Sequence, residues 1–162
     1  MNDTTPARNI TRDDVKHCLE QYRSGEVWCQ VLEERRRNII GELRAAHEEF
    51  VGGPAPLVDE IETMWVTEQR ETEASMLRAL DLMTLLPPGS AEREIVELRH
   101  IHGLQWKEIA ASLFLARSNI FRHYNAALDM LARHERVSEI MKKFQPERQA
   151  RAETEVKRSD HQ

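Results

Sequence analysis

Between Arg93 and Leu131 the chain reads REIVELRHIHGLQWKEIAASLFLARSNIFRHYNAALDML. This stretch restricts the fold more than any other, because three short helical periodicities follow one another with only two brief interruptions. Ile95, Val96, Leu98 and Ile101 form the apolar stripe of a first helix over 93–101. Gly103 follows, a residue able to take the left-handed conformation that ends a helix. Trp106, Ile109, Ala110 and Leu113 set a second helix over 105–113. Ile120, Tyr124, Ala127, Leu128 and Leu131 set a third, which starts after Ala116 with Ser118 close to its N-cap.

Two helices joined by a turn of three or four residues make a helix-turn-helix, with the third helix here as the recognition helix. Its outward positions then include Arg117, Ser118, Asn119, Phe121, Arg122 and Asn125. Arginine and asparagine pair bidentately with guanine and adenine edges, and an apolar ring can meet a thymine methyl. Lys107, on the preceding helix, is placed to meet a backbone phosphate. Trp106 reads as core, and the small Ala110 suits a close crossing of the two helices. Double-stranded DNA is therefore the expected partner.

The residues Leu98-Arg99, Gly103-Leu104, Glu108-Ile109-Ala110, Leu113, Arg117-Ser118, Ile120 and Ala127-Leu128 carry a resemblance in order and spacing. The stretch resembles region 4 of sigma-70-type transcription factors and the related LuxR-like helix-turn-helix domains. With the helical region before it, the layout is similar to phage late-gene transcription regulators of the RinA and ArpU kind. That resemblance implies action at a promoter with RNA polymerase as a partner. The family usually places glycine in the second turn, where this chain has Phe114. A bulky residue is costly in a left-handed conformation, so a turn of different shape is expected.

Two Pro/Gly clusters divide the rest. VGGPAP at 51–56 and Pro87-Pro88-Gly89 bound a helix expected over Leu57 to Leu86. Before it, Thr11 with Asp13 and Asp14 behind it suits a helix start, and the apolar steps run on to Phe50, with Gly25 expected to kink or break the helix. Two long helices with a short loop make an antiparallel hairpin. If the loop sets the register, Trp28 meets Ala79, Leu43 meets Met64, and Arg35–Arg37 face Glu68, Glu71 and Glu73. After Leu131 the third helix is expected to continue through Val137, Ile140, Met141 and Phe144 until Pro146. The expected fold is thus all-α: a disordered 1–10, a helical hairpin over 11–86 for dimerisation or partner binding, a three-helix DNA-binding domain over 87–145, and a charged tail over 146–162.

The formal charge of −5 is unevenly spread. Residues 1–86 carry 10 basic against 17 acidic side chains, whereas 87–145 carry 9 against 7. An acidic half joined to a mildly basic one suits a partner-binding part beside a DNA-binding part. The hairpin cannot cover both its faces alone: either it packs on the helix-turn-helix or it pairs with another subunit, and a homodimer is the expectation. Cys18 and Cys29 lie eleven positions apart on one helix, roughly 16 Å by helical rise. A disulfide needs Cα atoms within about 7 Å, so both are expected to be reduced packing residues.

No membrane-spanning apolar run is visible and the first ten residues are polar, so a cytoplasmic protein is expected. His100 and His102 are expected to be partly exposed and not metal ligands, and no phosphate loop, nucleophile elbow or metal-ligand spacing is found. The expectation is a sequence-specific transcriptional regulator, phage- or prophage-like, with no catalytic activity, cofactor or metal. The alternatives are a small terminase-like DNA-packaging subunit and a protein-interaction module whose helix-turn-helix does not bind DNA.

Overall fold

The computed structural model describes residues 9–49 and 55–142, with the side chains of 9–46 and 59–142. The expected disorder of 1–10 and the charged tail at 146–162 fall almost wholly outside them, as do residues 50–54 of the VGGPAP segment. The described residues are all-helical, in six elements: α1 (Arg12–Glu49), α2 (Ala55–Thr84), α3 (Ala91–His100), α4 (Trp106–Leu113), α5 (Arg117–Arg133) and α6 (Val137–Lys142).

Thr11 starts α1 as its sequence suggests. The Thr11 amide donates to the Asp14 carboxylate at 2.9 Å and the Asp14 amide donates to the Thr11 hydroxyl at 3.2 Å, a reciprocal cap. The helix then runs 38 residues without a break, so Gly25 does not end it. Gly25 is instead a point of close approach: a Cβ there would lie 2.5 Å from Met76 Cγ on α2. With no side chain in the way, α2 seats Met76 directly against the α1 backbone.

That contact helps to explain a second departure. As residue numbers rise along α1 they fall along α2, so the two helices run antiparallel, yet in a different register from the one the loop suggests. Trp28 Nε1 donates to Glu68 at 3.2 Å, where the loop register put Ala79. Arg36 donates to Glu62 at 3.4 Å, nine positions before Glu71. Close packing such as that at Gly25 outweighs exposed ion pairs, each worth under about 1 kcal/mol, in choosing register.

The core lies at the end of the molecule away from the α1–α2 loop. Val15, Cys18 and Leu19 of α1, Leu82 and Met83 of α2 and Leu86 just after it are buried in one cluster with Ile95, Ile109, Ile120, Tyr124, Leu128 and Leu131. The base of the long helix pair is thereby continuous with the core of α3–α5.

The third helix does not continue to Phe144. It stops at Arg133, and His134 takes an extended conformation with ψ 135°. His134 Nδ1 accepts the Arg136 amide at 3.1 Å, stabilising the bend. The chain turns, and α6 lays Val137 and Ile140 on the core beside α2 and α5. Arg12 on α1 reaches Asp129 on α5 as an exposed ion pair across the same region.

Candidate nucleic-acid interface

Helix α3 is a strut for the two helices that follow. Ser90 caps it, its hydroxyl accepting the Arg93 amide at 3.2 Å. Glu92 holds His123 of α5 at 3.0 Å, and that hydrogen bond keeps the Glu92 carboxyl below its ordinary range. At the other end His100 Nε2 and the Tyr124 hydroxyl share a hydrogen bond of 2.8 Å. His100 is 4% exposed, not partly exposed as its sequence position suggested. Burial, then the charges of Arg99 and Lys16, push its pKa down to about 4, so the ring is neutral at pH 7. Burial pushes Tyr124 up to about 12.

Gly103 makes the first turn in the left-handed region, with φ 67°. The Leu104 amide donates back to Leu98 at 3.0 Å, and the Gln105 amide donates to Glu108 at 2.7 Å to begin α4. The second turn has the left-handed geometry that a glycine would give it, although Phe114 occupies it. Phe114 lies at φ 55° and ψ 35°, and its amide bonds to Ala110 and Ala111 carbonyls. The expectation of a differently shaped turn is corrected here. A left-handed non-glycine residue costs roughly 1–2 kcal/mol, a modest sum beside the packing of α4 on α5. The Phe114 side chain is 94% exposed, so nothing crowds it. Ala116, not Ser118, is the N-cap of α5, and it offers no side-chain bond.

Helix α5 has two faces. Ile120, Tyr124, Ala127, Leu128 and Leu131 are buried. Ser118, Phe121, Arg122 and Asn125 are exposed, and helical spacing sets them along one stripe apart from the buried one, while Arg117 is exposed at the first position of the helix, in line with Tyr124 and Leu128. Asn119 is half-buried, on the flank between the two. Lys107 is exposed on α4.

Phe121 is 37% exposed and tied down: its ring lies 5.0 Å from Trp106, with the Arg117 guanidinium 5.9 Å from its centre. Trp106 also meets Tyr124 edge-on at 4.8 Å and carries Arg99 over its ring at 4.6 Å. The stripe is therefore anchored by an aromatic stack that links α4 to α5. Spacing alone could not reveal this stack, although Trp106 at the first turn of α4 was the clue to it.

Among the described residues, no carboxylate lies within ion-pair reach of Arg117, Arg122 or Lys107. These cations are free to meet an external anion. Cys18 and Cys29 are free thiols, and burial pushes Cys18 up to about 11. Among the described residues no cluster of His, Cys, Asp or Glu could hold a metal ion, and no helix is long and apolar enough to cross a membrane.

A family model for the ECF sigma factors matches residues 8–137. No curated protein and no solved structure matches the chain.

Proposed function

The chain belongs to the ECF sigma factor family, and from that premise we propose that it is a sequence-specific DNA-binding transcription factor that reads the major groove with α5. The family carries DNA-binding, transcription-related function, and the sigma-70-like helix-turn-helix falls on α4 and α5. The observation that supports specific reading is the exposed stripe of Ser118, Phe121, Arg122 and Asn125, with the exposed Arg117 at the start of the helix, set apart from a wholly buried stripe. In the proposed docking the N-terminal half of α5 lies in the groove. Arg117, Arg122 and Asn125 face base edges, Phe121 offers an apolar edge to a thymine methyl, and Asn119 on the flank reaches a sugar or phosphate. Lys107 neutralises a backbone phosphate from α4. The protein acts by binding in the cytoplasm and catalyses no reaction of its own.

The partner surface in this reading is the α1–α2 pair. Val27, Met64, Val66 and Leu77 are exposed there at 45–70%. RNA polymerase is the partner that family membership implies, and self-association is the one that the hairpin's uncovered faces suggest. Light scattering on the full chain separates them: a dimer at micromolar concentration supports self-association, and a monomer removes it.

The test of the reading is selection of duplexes from a random pool by the full chain. Enrichment of one sequence, followed by a gel shift on it, is the expected result. A chain that enriches none is not a sequence-specific factor.

A further inference from the structure

An open cleft of about 310 Å³ lies between α1, the α3–α4 turn and α5. Lys16, Glu20 and Arg23 line it from α1 and Arg99 from α3, with Trp106 and Tyr124 also in its wall. Three cations thus face one carboxylate. Among the described residues none of the three cations has a carboxylate within ion-pair reach. Arg23 spends one nitrogen on the Ile101 carbonyl at 3.5 Å, and Arg99 spends one on the Leu104 carbonyl at 3.0 Å. A guanidinium has five N–H donors, so both forks keep donors in hand.

The site is also shaped to hold Arg23. A Cβ on Gly103 would fall 2.3 Å from Arg23 Cζ, so the bare turn makes room for the guanidinium as well as for its own positive φ. Arg99 is fixed over the Trp106 ring at 4.6 Å. The local field is positive enough that, after burial, Arg99 and Lys16 are the charges that hold His100 neutral. Three cations around a single carboxylate repel one another, and an entering anion relieves that repulsion. Two guanidinium forks and an ammonium suit a group with several acceptor oxygens.

We propose that this cleft is a phosphate-binding site, and that its phosphate comes from the backbone of the duplex that α5 reads. Trp106 joins the two regions: it touches Tyr124 in the cleft and Phe121 on the α5 stripe, and Lys107 follows it in the chain. A duplex lying along the stripe and past the start of α4 brings one strand to the cleft mouth. Helix α1 then belongs to the DNA footprint, which reaches beyond the three helices of the sigma-like unit. The choice of source rests on the DNA-binding reading of α5, and the phosphate chemistry of the cleft does not.

Two measurements on the full chain test this. In the first, duplex binding of Lys16→Gln and Arg23→Gln is followed across a salt series on matched and mismatched sequences. Each variant is expected to lower the slope of log affinity against log salt by about one, on all sequences alike, and Arg23→Lys to retain it. Lys16 is exposed and its side chain makes no hydrogen bond or ion pair among the described residues, so its variant reports even if Arg23→Gln fails to fold. In the second, inorganic phosphate is titrated in while the His100 ring and Gly103 amide are followed by NMR, and both signals are expected to move. Unchanged slopes with moving signals overturn the duplex as source and leave a free phosphate species as ligand. Unchanged slopes with still signals overturn the site. A wild-type chain that binds no duplex ends the DNA reading of α5, and the phosphate titration then decides the cleft by itself.

Discussion

The His100 imidazole and the Tyr124 hydroxyl meet at 2.8 Å inside the core, tying the last turn of α3 to the middle of α5. Because the ring is held neutral with a pKa of about 4, folding opposes its protonation. The unfolded chain takes up that proton near pH 6.5 and the folded chain only near 4. Stability is therefore fully present above 6.5, falls as the pH drops towards 4, and loses no more from this group below that, about 3 kcal/mol in all. Urea denaturation between pH 6.5 and 5 isolates the effect, since Glu92 and Asp129, both held below their usual range by hydrogen bonds from His123 and Arg12, matter only at lower pH. His100→Gln should flatten the curve in that window. A wild-type stability that is level from 6.5 to 5 contradicts the buried neutral ring.

Phe114 is the one described non-glycine residue with positive φ. Its side chain is almost fully exposed, so Phe114→Gly gives up little buried surface and relieves the left-handed strain. Thermal denaturation should show a gain of about 1 kcal/mol. A loss of that size means that the ring has a stabilising contact in solution.

Gly25 is expected to be intolerant for the opposite reason. Gly25→Val places methyl groups where Met76 now sits, and a loss of about 1–3 kcal/mol should follow. Met76→Ala in the same chain should return part of it. If the double variant is no better than Gly25→Val alone, the close approach of α1 and α2 is not what the valine disturbs.

The α1–α2 register is open to a charge-reversal cycle. Arg36→Glu combined with Glu62→Arg should show a coupling energy of about 0.2–1 kcal/mol, as befits an exposed pair. Arg36→Glu combined with Glu71→Arg should show none. The reverse pattern restores the register that the loop implies.

The helical layout was largely legible in the sequence, because α3, α4 and α5 each carry an apolar stripe of helical period and end near a glycine, a cap or a break. Phe114 departs from the steric expectation because the packing gained by the turn outweighs the local strain. Once α4 packs on α5, one strained residue is affordable. The end of α5 was readable in principle. On an unbroken helix the Val137–Ile140 stripe would sit roughly 150° away from that of Ile120–Leu131, so a bend was needed to bring both onto one core. His100 likewise shares a stripe with Val96, four residues before it, and burial followed from that. The α1–α2 register was not readable, since a glycine backbone contact is invisible to charge and hydropathy patterns. Nor was the cleft, because Lys16 and Arg23 meet Arg99 only through the long-range packing of α1 on α3 and α5. The similarity to phage late-gene regulators rested on the order of helices, and order alone does not separate such proteins from other sigma-like chains.

The claim that α5 reads base sequence is tested most directly by Arg122→Ala, set beside Lys107→Ala on duplexes chosen by the wild-type chain. Both side chains are exposed, the first on the α5 stripe and the second on α4. Arg122→Ala should cost about 1–3 kcal/mol on the preferred duplex and flatten the preference at one base position. Lys107→Ala should weaken every duplex alike and lower the salt slope by about one. If Arg122→Ala instead weakens matched and mismatched duplexes equally, Arg122 contacts phosphate and the proposed placement of α5 in the groove is wrong.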